Sequence, residues 1–151
     1  MKKLIVLLLL LLAAYFGYQQ YIPSSSSIPR DAGTSPPSSI TNDEAFANAF
    51  KYRTNNLQIE GSGTVLNLLP DDTKGSRHQR FIVKLNSGQT LLVAHNIDLA
   101  PRVDSLRQGD RVKFYGKYEW NGQGGVIHWT HLDPSGSHVA GWIHHNGKTY
   151  Q

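Results

Sequence analysis

The sequence of 151 residues has no cysteine, and its single methionine is Met1. Without thiols there is no disulfide framework, thiolate metal site, haem attachment, lipidated cysteine or cysteine nucleophile. Seven histidines are then the only strong nitrogen ligands. Charge is also scarce, at 17% of residues and a formal net charge of +4. The chain lacks a Gly-x-Ser-x-Gly elbow, a His-Glu-x-x-His motif and a phosphate-cradling P-loop, so the commonest hydrolase and nucleotidase signatures are missing. Fourteen glycines and three tryptophans fit a turn-rich β protein rather than a helical bundle or coiled coil. The length suffices for one folded domain.

At the N-terminus, Lys2 and Lys3 precede an unbroken apolar run over residues 4–17. Cations followed by hydrophobes are the order of an export element, and the lysines hold the start of the chain in the cytoplasm. Residues 1–22 are read as a signal peptide or an uncleaved inner-membrane anchor. The remainder is then delivered to the bacterial cell envelope, facing the periplasm. Residues 23–40 are dominated by Ser and Pro, which cannot bury enough apolar surface to offset backbone ordering, and predict a disordered linker. Thr41 with Glu44 gives a capping box for a short helix from Asp43 to about Tyr52, within a segment 41–53, and Phe46 and Phe50 share its docking face.

From Leu57 the period becomes that of strands. Residues 57–69 are strand-like with Gly61 and Gly63 at a bend, and residues 70–75 are a loop. Arg77 to Leu85 alternates, with Phe81, Val83 and Leu85 on one face. Gln89 to His95 is apolar on both faces, as in a central strand. Asn96 to Arg107 leaves room for one short helical turn. Arg111 to Trp120 alternates again, Asn121-Gly122 is a hairpin signal, and Val126 to His131 is the fifth strand. Three strands, a short helical connection and two strands predict an all-β, five-stranded OB-fold barrel over residues 54–151, with a His-rich C-terminal extension. A β-sandwich competes but usually needs more strands.

Residues 106–118, LRQGDRVKFYGKY, with Gly61 to Val65 upstream, resemble the fourth and first strands of bacterial OB-fold proteins. Residues 94–102, AHNIDLAPR, followed by residues 124–131, GGVIHWTH, and Gly141-Trp142 resemble a family of small exported bacterial proteins catalogued only as a domain of unknown function. The resemblance implies the OB-fold and export, and brings no activity.

Histidine is the densest chemical signal, six of the seven falling within residues 95–151. His128, His131, Asp133 and His138 are candidate ligands for Zn²⁺ or another divalent metal, since neutral imidazole and carboxylate suit such ions. On a regular strand His128 and His131 point to opposite faces, so a shared ion requires the strand to end near Thr130. The alternative is ordinary polar surface or packing, and His144 and His145 read as a solvated tail. A His-dependent metal hydrolase, nuclease-like, would use His95 as base and Arg102 to hold an anionic transition state. Asp98 has no acidic neighbour to complete such a site. A binding module for single-stranded nucleic acid or oligosaccharide would instead use Lys74, Arg77, His78, Arg80 and Lys84, with Tyr115, Trp129 and Trp120 as stacking surfaces. From Thr54 onward there are ten Lys/Arg and eight Asp/Glu, less basic than a dedicated DNA binder. An envelope protein-interaction scaffold is the third reading.

Overall fold

Alternating apolar side chains from Leu57 onward build a seven-stranded sheet in which five strands close on themselves. The computed structural model describes residues 42–151. The expected anchor, residues 1–22, and the linker, residues 23–40, lie outside the described residues. Among the described residues no helix is long and apolar enough to cross a membrane.

Helix α1 spans Asn42–Lys51, and the strands are β1 Leu57–Asp72, β2 His78–Lys84, β3 Thr90–Asn96, β4 Arg111–Glu119, β5 Val126–His128, β6 Trp142–His145 and β7 Lys148–Tyr150. The sheet order is β1-β2-β3-β5-β4-β6-β7, and β1 also pairs with β4, which closes the first five into a ring. The long strand β1 makes closure possible. Its first half pairs with β4 and its second with β2, and Thr64 is opposite both Arg111 and Lys84. Gly61 lies under this bend, where a Cβ would meet the rings of Phe114 and Phe46. A side chain there would overpack the core.

Phe46, Phe81, Val83, Val93, Phe114, Tyr118, Ile127 and Ile143 are fully enclosed. Each such side chain contributes roughly 1.5–3 kcal/mol by leaving water. Helix α1 inserts Phe46 against Phe114 and Tyr118, and stacks the half-exposed Phe50 on Trp120. Asp43 in its first turn accepts from the backbone N–H of Ser87, which pins the helix to the β2–β3 turn.

Three expectations change. The β3–β4 connection holds no regular helix: the expected helical element is a single turn closed by the Ala100 N–H to the Asn96 carbonyl, followed by other turns. The fifth strand stops at His128, because Trp129 takes a left-handed φ of 56°. The C-terminal extension is structured: β6 pairs with β4, and β7 pairs with β6. His145 is not a solvated tail residue, being 1% exposed with Nε2 2.8 Å from Asp110 Oδ2.

Candidate functional site in an imidazole-lined groove

Strand alternation puts His78 and Arg80 of β2, Leu92, Ala94 and Asn96 of β3, and Val126 and His128 of β5 on the outward side, opposite the enclosed Phe81, Val93 and Ile127. The left-handed Trp129 then turns the chain out of the sheet, so that the 129–141 loop rises beside this face. Between them lies a groove of about 400 Å³ whose lining includes His78, Asn96, His128, Trp129, His131 and His138. A neighbouring depression of about 430 Å³ shares His78 and His128 and adds Arg80, Asp72 and Glu119.

The imidazoles are oriented locally. His78 Nδ1 lies 2.7 Å from the Ser76 carbonyl, His131 Nδ1 2.6 Å from the Leu132 carbonyl, and His138 Nδ1 2.8 Å from the Val139 carbonyl. A carbonyl only accepts, so each Nδ1 carries a proton, and in the neutral tautomer that this selects, Nε2 is the acceptor. His128 Nε2 is covered and has no hydrogen-bond partner, with Glu119 Oε1 3.8 Å away. Burial, together with the Lys117 ammonium, lowers the His128 pKa below the usual imidazole value and favours its neutral form. The groove is thus lined by imidazoles whose Nδ1 atoms are fixed as donors to carbonyls.

Trp129 organises the loop rather than offering a free platform. His138 stacks on its ring at 4.3 Å and 17°, while Lys117 Nζ sits 3.8 Å from its centroid. With both neighbours this close to the ring, its two faces are occupied. His131 meets His138 edge-on at 5.1 Å. Beneath the loop, Asp133 accepts from the backbone N–H groups of Ser135 and His138 and from the hydroxyls of Ser135 and Ser137. These donors, led by the Ser135 hydroxyl, hold the carboxyl far below the ordinary carboxylate range.

The four residues expected to bind metal thus do meet at one groove, because the strand ends where a shared site requires. Among the described residues, however, no three His, Asp or Glu side chains are grouped to hold one ion. Both oxygens of Asp133 are already committed to its own loop. His95 cannot serve as the expected base. It is fully enclosed, with Nδ1 2.9 Å from the Thr130 hydroxyl and Nε2 3.1 Å from the Pro101 carbonyl, so neither nitrogen is free. Arg102 is not at the groove; it pairs with Asp71 at 3.1 Å and Asp104 at 3.4 Å.

The expected cationic track is also dispersed. Arg77 pairs with Asp98 at 2.6 Å, and Arg80 donates to the Pro70 carbonyl from both Nε and Nη2. Lys117 is shared by Glu119 and Asn56. Lys84 ends the strand that His78 begins, about 20 Å away at the strand rise. Lys74 lies in the exposed 73–77 loop outside the groove lining, and Tyr115 belongs to another face, beside Trp142. Sequence reasoning missed Asn96, Leu99 and Ser137 in the lining. Asn96 carries a usable signal, as the polar residue that ends an apolar strand.

A family model described as "Protein of unknown function" (DUF3465) matches residues 32–151. No curated protein matches the chain.

Proposed function

The chain belongs to the DUF3465 family of proteins of unknown function, which brings no established activity, and we propose from the groove itself that it is an exported OB-fold module that binds an oligosaccharide. The OB-fold reading is supported by the closed order β1-β2-β3-β5-β4, in which β3 and β5 run parallel and the other ring pairs are antiparallel. Export rests on Lys2, Lys3 and the apolar run that follows them, acting as signal or inner-membrane anchor toward the periplasm.

The observation that carries the ligand class is the set of imidazoles oriented by their Nδ1–H groups around one groove while the nearby Arg77 and Arg102 are ion-paired elsewhere. A phosphate chain needs uncommitted Lys and Arg. A hydroxyl-rich chain needs acceptors for its O–H groups and donors for its ring oxygens, which the Ser76 hydroxyl and the Asn96 amide supply beside the histidines, while the Ser135 and Ser137 oxygens, donating to Asp133, can only accept. The volume lies within the usual range for small-ligand sites. Exposed Leu99, Leu132 and Val139 at this end of the domain give apolar surface for the C–H faces of sugar rings.

The test is imidazole NMR during titration of the protein with short neutral oligosaccharides. Saturable shifts at His78 and His138, weakened in His78→Ala and His138→Ala, are expected. Shifts produced only by an oligonucleotide and removed by salt would replace this reading with nucleic-acid binding. Co-purification of an envelope protein that survives no groove variant would replace it with a scaffold.

A further inference from the structure

A second face is built by the strands added to the ring. The β6–β7 hairpin extends the edge of β4, so that β1, β4, β6 and β7 present one continuous outward surface. The register fixes its rows. Glu60 is opposite Tyr115, and Tyr115 is opposite Trp142. In the next row Ser62 is opposite Lys113, Lys113 opposite His144, and His144 opposite Thr149. The intervening Val112, Phe114 and Ile143 point into the core, so these row members share the outer side.

Between the rows is a groove of about 480 Å³ lined by Glu60, Lys113, Trp142, His144, Thr149 and Gln151. A smaller depression of about 150 Å³ continues it toward Arg111. Tyr115 and Trp142 form a tilted aromatic pair, centroids 6.2 Å apart at 35°. The cations here differ from those of the imidazole groove. Among the described residues Lys113 has no hydrogen-bond or ion-pair partner, and Arg111 reaches only the neutral oxygens of Asn86 at 3.3 Å and Ser62 at 3.5 Å. Glu60 is likewise unpaired.

We infer that this face binds a nucleotide unit. Its base lies against Tyr115 and Trp142, and its phosphate is drawn to Lys113 and Arg111, which are about 7 Å apart as alternate residues of one strand. Two uncompensated cations beside a tilted pair of aromatic rings complement an anion attached to a planar ring, which a neutral sugar does not provide. Glu60, in the aromatic row, accepts from an exocyclic amino group as carboxylates do from cytosine N4, and so disfavours thymine. The inference is independent of the oligosaccharide reading, since no lining residue is shared.

The test is tryptophan fluorescence of the full-length protein titrated with dAMP, oligo-dA, oligo-dC and oligo-dT at several salt concentrations. Saturable quenching is expected, with oligo-dA and oligo-dC ahead of oligo-dT, and with Glu60→Gln removing that preference. Trp142→Ala should weaken binding about tenfold, the scale of one lost base stack. In case Trp142→Ala disturbs β6, the exposed pair Arg111→Ala, Lys113→Ala tests the same site. It should weaken binding and lower the salt slope by about 0.7 per lost phosphate contact. Binding of dAMP comparable to oligo-dA assigns a free nucleotide, whereas oligomer-only binding assigns a single strand. Absence of quenching at low salt, or quenching unchanged in both variants, overturns the inference. Loss of quenching in His78→Ala and His138→Ala also overturns it, by moving the ligand to the other groove.

Discussion

The hydroxyl of Thr130 donates to Nδ1 of His95 across 2.9 Å, joining β3 to the segment that follows β5 inside the core. The direction follows from the other nitrogen: Nε2 faces the Pro101 carbonyl and must carry the proton. Thr130→Val keeps the shape and removes the donor, leaving an enclosed acceptor unmatched. We expect a loss of about 1–3 kcal/mol in urea unfolding.

The same burial sets a pH dependence. Burial lowers the His95 pKa from the ordinary 6.5, despite the Pro101 contact, and lowers that of His128 as well. The unfolded chain therefore takes up more protons than the folded one once pH falls below about 6.5. Stability is fully present above that pH and declines as pH falls toward the folded-state values. A second decline follows below the ordinary carboxylate value of 3.8, because the Arg77 N–H at Asp98, the Arg107 N–H at Asp110 and the Ser135 hydroxyl at Asp133 all favour their ionised forms. Urea midpoints should be level from pH 7.5 to 9 and lower at pH 5. A midpoint that rises on acidification to pH 5 would contradict this account.

Gly125 is held at φ 112°, and a Cβ there would run into the Tyr118 ring. Tyr118 is fully enclosed and its hydroxyl donates to the Gly124 carbonyl at 3.2 Å, so it cannot step aside. Gly125→Ala should cost at least about 2 kcal/mol through strain and overpacking together. Gly122→Ala, which meets nothing within 4 Å and has no left-handed φ, should be nearly neutral in the same unfolding assay.

His145 ties the final hairpin to the loop before β4, through Nε2 to Asp110 and a longer contact of Nδ1 with the Ser105 hydroxyl at 3.4 Å. His145→Ala leaves a hole at a fully enclosed position and removes one of the two donors to Asp110 Oδ2, the Arg107 N–H remaining. A loss of about 2–4 kcal/mol is expected, with hydrogen exchange accelerating first in residues 142–150.

The ring was legible because its strands carry their own alternation. Phe81, Val83 and Leu85, or Val112, Phe114 and Tyr118, declare a buried face without help from distant residues. Turn signals were less decisive. Asn121-Gly122 reads as a two-residue hairpin, yet Asn121 instead caps a longer loop by accepting from Gln123 and Gly125 N–H groups, and the left-handed residues are Gly124 and Gly125. The later pair Asn146-Gly147, with φ of 48° and 75°, is the one that makes the tight primed turn between β6 and β7. The histidines were legible as a cluster and not as individuals. Nothing local distinguishes His95, locked in the interior, from His138, stacked on Trp129 at the groove; that depends on Thr130 and Pro101, which folding brings from elsewhere in the chain.

Gln151 stands at the lip of the hairpin face, next to Thr149 and Trp142. Any residues joined after Gln151, native or added, would begin inside the groove, and a polyhistidine tag there would add foreign imidazoles beside His144. Fluorescence or metal-affinity measurements on such a fusion would partly report the tag rather than the hairpin face.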